Sequence, residues 1–124
     1  MKKKDVYYVD DGILVSGYVV KRRFRRAIFY PYTARCGFSY QILSRKDKIV
    51  DYTKTARRKY YKETYPAGAE VRLLGYHKKS MPVAPGTVCT VISVDNTPII
   101  RCECNGKKIA IYPEIDAFQL VEEG

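Results

Sequence analysis

The chain has 124 residues, enough for one compact domain or two small ones, and its 46% hydrophobic content argues against global disorder. No apolar run approaches the ~20 residues of a membrane helix, and Met1-Lys2-Lys3-Lys4-Asp5 has no apolar signal core behind it, so a cytoplasmic protein that does not enter membranes is expected. The net charge of +10 is unevenly placed: residues 1–62 hold 17 Lys/Arg against 5 Asp/Glu, residues 63–124 hold 6 against 8, and nine of the 12 Tyr lie in the first half. A basic, tyrosine-rich surface suits a polyanion.

The first half reads as a β-meander. Val6–Val9 is a short strand, Asp10-Asp11-Gly12 a turn with Gly at positive φ, and Ile13–Val20 a β-rich run in which Gly17 marks a bulge or a close approach. Lys21–Tyr30 continues that strand or pairs with it, and Pro31–Gly37 is a loop carrying Tyr32 and Arg35. Phe38–Leu43 and Ile49–Tyr52 are further strands, separated by a charged turn. Residues 53–64 lack Gly and Pro and predict a helix linking the halves, with Tyr52, Ala56 and Tyr60 on one face. Tyr65-Pro66-Ala67-Gly68 ends it.

The second half is a series of short strands. Val71–Leu74 precedes a loop from Gly75 to Pro85 that holds His77. Thr87–Val94 is β-branched, Asp95–Pro98 turns, Ile99–Cys104 returns, and Asn105-Gly106 is a strong hairpin signal before Lys107–Tyr112. Pro113–Val121 closes the series through a helical turn near Glu114–Ala117. The expected fold class is mainly β with one short helix: an antiparallel meander over 1–52, a linker helix over 53–64, and an SH3-like small barrel over 65–124.

The four cysteines fit neither a disulfide scaffold nor a C-x-x-C metal site. Ile100, Cys102 and Cys104 alternate on one strand face, so the cysteines are expected to be reduced packing residues. There is no P-loop, G-x-G-x-x-G, H-E-x-x-H or paired-carboxylate motif. His77, the single histidine, is expected to be a solvated loop residue. No catalytic set, metal or cofactor is therefore expected.

Several motifs in the second half carry a family resemblance. They are Tyr65-Pro66-Ala67-Gly68, Val71 and Leu73, Pro85-Gly86-Thr87 through Val91, Val94-Asp95-Asn96, Asn105-Gly106, and then Ile109, Ile111, Pro113, Asp116 and Phe118. In order and spacing they resemble the family called Domain of Unknown Function 4314. Cys89 stands where that family has a glycine, Cys104 where it has a tryptophan, and Tyr76-His77-Lys78-Lys79 replaces an acidic loop. The resemblance implies an SH3-like barrel carried by phages and mobile elements. Residues 1–60 show no such resemblance.

Candidate binding residues lie in the basic half. Lys21, Arg22, Arg23, Arg25 and Arg26 repel one another, a repulsion that phosphates would relieve with release of counterions. Arg35 lies in the loop beyond Tyr30 and Tyr32. Arg57, Arg58 and Tyr61 form a second cluster on the helix. Most of Tyr7, Tyr8, Tyr30, Tyr32, Tyr40 and Tyr52 are expected in the β core, with Tyr30 and Tyr32, on either side of Pro31, the pair most open to stacking on bases. The expected role is non-catalytic binding of RNA or DNA backbone, or of a nucleic-acid-bound protein complex. The alternative is an anti-CRISPR-type inhibitor contacting a defence nuclease such as Cas9 through protein or guide RNA.

Overall fold

A computed structural model describes residues 3–21, 26–33 and 36–121. It divides the chain into two compact units, Met1–Arg57 and Arg58–Gly124. Among the described residues are ten strands and one helix, and the fold is mainly β.

The first unit is a five-stranded antiparallel sheet. Its strands are β1 (Lys3–Asp10), β2 (Ile13–Val20), β3 (Ile28–Pro31), β4 (Gln41–Ile42) and β5 (Ile49–Asp51), in the order β4-β3-β2-β1-β5. The β1–β2 hairpin turns on Asp11 (φ 50°) and Gly12 (φ 83°), which matches the tight-turn signal of Asp-Asp-Gly. Alternation then sorts the side chains. Val6, Tyr8, Val15, Val19 and Phe29 bury on one face, with Ala27, Cys36, Phe38 and Leu43 packed against them. The ring of Tyr8 stacks on Phe29 at 5.2 Å and meets Phe38 edge-on at 5.8 Å. Its hydroxyl donates to Asp47 Oδ1 at 2.8 Å. Burial, then the Asp47 hydrogen bond, pushes the Tyr8 hydroxyl up to about 12.

Gly17 lies under this core. A Cβ there would fall 2.2 Å from the Tyr30 carbonyl oxygen and 2.5 Å from Phe29 Cζ, so glycine is required by close approach and not by turn geometry. The strand expected over Phe38–Leu43 contracts to Gln41–Ile42. Of the run from Lys21 to Tyr30, the pairing alternative holds for its end: β3 starts at Ile28 and pairs antiparallel with β2, which stops at Val20.

Helix α1 (Lys54–Thr64) is capped by Thr53, whose hydroxyl accepts the Ala56 N–H at 3.0 Å. Its buried residues are Tyr60 and Tyr61, so the expected stripe of Tyr52, Ala56 and Tyr60 is displaced. Tyr52 is 47% exposed. Tyr61 stacks on Tyr65 at 6.3 Å, and Tyr65 meets Phe118 at 5.4 Å, which ties the C-terminal part of α1 into the second unit.

That unit holds β6 (Glu70–Gly75), β7 (Thr87–Val94), β8 (Ile100–Cys104), β9 (Lys107–Ile111) and β10 (Ala117–Leu120), ordered β10-β6-β7-β8-β9. Pairing the last strand with the first, after a short turn at 113–116, is the strand order of a small SH3-like barrel. Asn105 (φ 51°) and Gly106 (φ 81°) make the expected hairpin between β8 and β9. Val71, Leu73, Cys89, Val91, Ile100, Cys102, Cys104, Ile109, Ile111 and Phe118 are buried.

The alternation of Ile100, Cys102 and Cys104 into the core holds, but the cysteines are not all reduced. Thr90 pairs with Glu103, so Cys89 sits directly across from Cys104, their Cα atoms are 4.6 Å apart, and the two are joined as a disulfide. Cys36 and Cys102 remain thiols, and burial pushes Cys102 up to about 12. Strand register, invisible in the isolated sequence, creates the bond. With a sequence separation of 15, the crosslink should contribute about 3 kcal/mol through the unfolded chain. Urea denaturation of the wild type against Cys89→Ser/Cys104→Ser should show that loss, and equal midpoints would mean that the bond does not form.

Candidate nucleic-acid interface

The face of the first sheet opposite its core carries a row of tyrosines. Because Val6 and Tyr8 point to the core, Lys3, Asp5 and Tyr7 point the other way. Asp5 pairs with Tyr18 across β1–β2, and Tyr18 pairs with Tyr30 across β2–β3. Tyr32, two residues beyond Tyr30, stays on that face, and its N–H donates to Ser16 O at 2.9 Å. The rings touch: Tyr18 stacks on Tyr30 at 5.2 Å and 23°, and meets Tyr32 at 5.6 Å and 41°. A second stack, Tyr7 on Tyr52 at 4.9 Å, lies on the β1–β5 side.

Charge is built into this face. The Lys3 ammonium sits 5.0 Å from the centre of the Tyr18 ring, within cation–π range. The Tyr32 hydroxyl donates to Asp5 Oδ1. That bond is the main cause holding the Tyr32 hydroxyl up at about 12, with smaller contributions from desolvation and the charge of Asp5. Exposed Lys21 and Arg26 stand where β2 ends and where the chain re-enters toward β3. Beside Tyr32 is an open recess of about 450 Å³ lined by Pro31, Tyr32, Thr33, Gly37, Phe38 and Ser39.

Of the expected binding residues, Tyr30 and Tyr32 lie on this face, while Lys21 and Arg26 are exposed just after β2 and just before β3. Arg22, Arg23, Arg25 and Arg35 lie outside the described residues. Tyr61 is a correction: it is 0% exposed in the core of the second unit and is not available to a ligand. Its spacing of four from Tyr65 was the overlooked signal of a buried stripe. Arg57 and Arg58 are half-buried with their Nε atoms enclosed, unlike exposed Lys59 and Lys62 on the same helix. The expectation of tyrosines filling the core holds for Tyr8 alone among the six. Tyr7 and Tyr30 are half-buried, and Tyr32, Tyr40 and Tyr52 are exposed. Tyr18, which the sequence reading did not single out, sits at the centre of the row. Its parity with Ser16 and Val20, opposite to Val15 and Val19, was the available signal.

His77 also differs from expectation. β6 ends at Gly75, which pairs with Ala117, and this carries His77 over the turn before β10. Its Nδ1 lies 3.1 Å from both carboxylate oxygens of Asp116 and must donate, since a carboxylate only accepts. Tyr76 and Tyr112 flank the imidazole, with ring centres 4.1 and 4.2 Å away. Asp116 Oδ2 also accepts the Tyr112 N–H at 2.6 Å. The pair fastens the long β6–β7 loop to the 112–116 turn. Among the described residues no group of three His, Cys, Asp or Glu side chains gathers to hold a metal ion, and no helix is long and apolar enough to cross a membrane.

These features define a mainly β protein in which a helix and a second five-stranded antiparallel sheet accompany a tyrosine-faced sheet. Residues 54–121, just over half of the chain, match the profile of a domain of unknown function (DUF4314), and the chain belongs to that family. No curated protein and no solved structure matches it.

Proposed function

We propose that the protein is a small, basic, non-catalytic accessory of a phage or mobile element that binds nucleic acid or a nucleic-acid-bound protein complex in the cytoplasm. One observation supports this reading above the others. The stacked tyrosines share a sheet face with Lys3, and lie in the half of the chain with 17 Lys/Arg against 5 Asp/Glu. Phosphates neutralised there release counterions, and aromatic rings accept any base. No recognition-helix motif is present in the sequence, so backbone and shape would be read before base sequence.

The test is retention of labelled oligonucleotides by the purified chain at low salt. Affinity should fall roughly 50-fold for a single strand, or about 150-fold for a duplex, for a fourfold rise in salt if about four phosphates are neutralised. Replacing Arg22, Arg23, Arg25 and Arg26 together by Ala should abolish most of that salt dependence. Absence of retention by the wild type would sink the reading, and a nuclease-directed inhibitor would then be sought by co-purification and cleavage assays.

A further inference from the structure

We infer that the ring cluster Tyr18–Tyr30–Tyr32 is a stacking site for the unpaired bases of single-stranded nucleic acid, and that the first added base continues the stack at Tyr32. This rests on the nucleic-acid reading above and names the form of its ligand.

Geometry carries the inference. The three rings form a cluster joined through Tyr18, which stacks on Tyr30 and meets Tyr32 at a tilt of 41°, and Tyr32 is its exposed member at 55%. A half-exposed aromatic stack leaves one ring face for a further aromatic, and every nucleobase has a π-face to offer. Paired bases in a duplex have both faces covered by their neighbours, so only a single strand can supply one. The recess beside Tyr32, about 450 Å³, gives that base a place to sit.

The site is also set before a ligand arrives. Asp5, directly across from Tyr18, accepts a hydrogen bond from the Tyr32 hydroxyl and fixes the direction of its ring. A ring already held loses little freedom on binding. Lys3, over Tyr18, brings a cation to the same cluster and so positive charge for a phosphate of the bound strand. The carboxylate of Asp5 works against a phosphate lying over the row itself. Together these favour a strand with its bases turned toward the rings and its backbone passing Lys3.

The experiment compares a labelled short oligothymidylate, or its uridine counterpart, with a duplex of equal length, using the full chain at low salt. The wild type should hold the single strand more tightly. Tyr18→Ala and Tyr32→Ala should each weaken single-strand binding by about 10-fold while leaving duplex binding unchanged. Tyr32→Phe keeps the ring and should stay within about threefold of wild type. Circular dichroism confirms that each variant is folded, and Tyr32→Ala, at an exposed ring, guards against a misfolded Tyr18→Ala. Equal binding of single strand and duplex by the wild type overturns the inference. So does a Tyr32→Ala variant that binds the single strand as well as wild type does, or one that loses both ligands equally. In all these cases the wider nucleic-acid reading stands, because that reading fails only if the wild type retains neither ligand.

Discussion

Asp116→Ala should destabilise the protein by about 3–5 kcal/mol and lower its thermal midpoint by on the order of 15 °C. The Asp116 side chain is 0% exposed, yet its carboxylate serves two donors, His77 Nδ1 and the Tyr112 N–H. Truncation leaves both donors without this acceptor in a site walled by two tyrosine rings. Unsatisfied buried polar groups cost about 1–3 kcal/mol each. His77→Ala should also cost several kcal/mol, because it leaves a buried carboxylate with one hydrogen bond instead of two or three. Asp116→Asn should lie between the wild type and Asp116→Ala, since the amide oxygen can still accept from Tyr112. Urea denaturation of the three variants measures this order. A loss below about 1 kcal/mol for Asp116→Ala would mean that the pair is solvated in solution.

Gly17→Ala should cost about 4 kcal/mol, at the upper end for overpacking. The added methyl would lie 2.2 Å from a backbone oxygen, which cannot rotate away as a side chain can. Relief requires β2 and β3 to separate, and that disturbs the Gly17–Pro31 and Tyr18–Tyr30 register together with the seat of Phe29. Phe29 is fully buried, so its displacement carries a cavity cost as well. The variant should therefore lose both stability and the Tyr18–Tyr30 stack. Chemical denaturation gives the first, and weakened single-strand binding gives the second. A Gly17→Ala protein as stable as wild type would show that the two strands are farther apart than described.

Much of the fold was legible because it rests on local rules. Asp10-Asp11-Gly12 and Asn105-Gly106 encode their turns through residues that tolerate positive φ, and both hairpins form there. Ile100, Cys102 and Cys104 alternate into the core because strand geometry has period two. The helix followed from a stretch without Gly or Pro behind Thr53. The candidate site was half legible: Tyr30 and Tyr32 were identified, while Tyr18, Lys3 and Asp5 were not. Those three matter through a pairing register across β1, β2 and β3, which no local window contains.

The sequence by itself therefore determined the charge asymmetry, the β class, the hairpins and the family of the second half. The tertiary structure alone decided which tyrosines face the core, that Cys89 meets Cys104, and that the histidine of a Lys-rich loop is held against buried Asp116. The physical reason is the same in each case. Turn conformation and alternation are set by neighbours in the chain, whereas burial, pairing and ring contact are set by distant residues, 15 positions apart for Cys89 and Cys104 and 39 for His77 and Asp116.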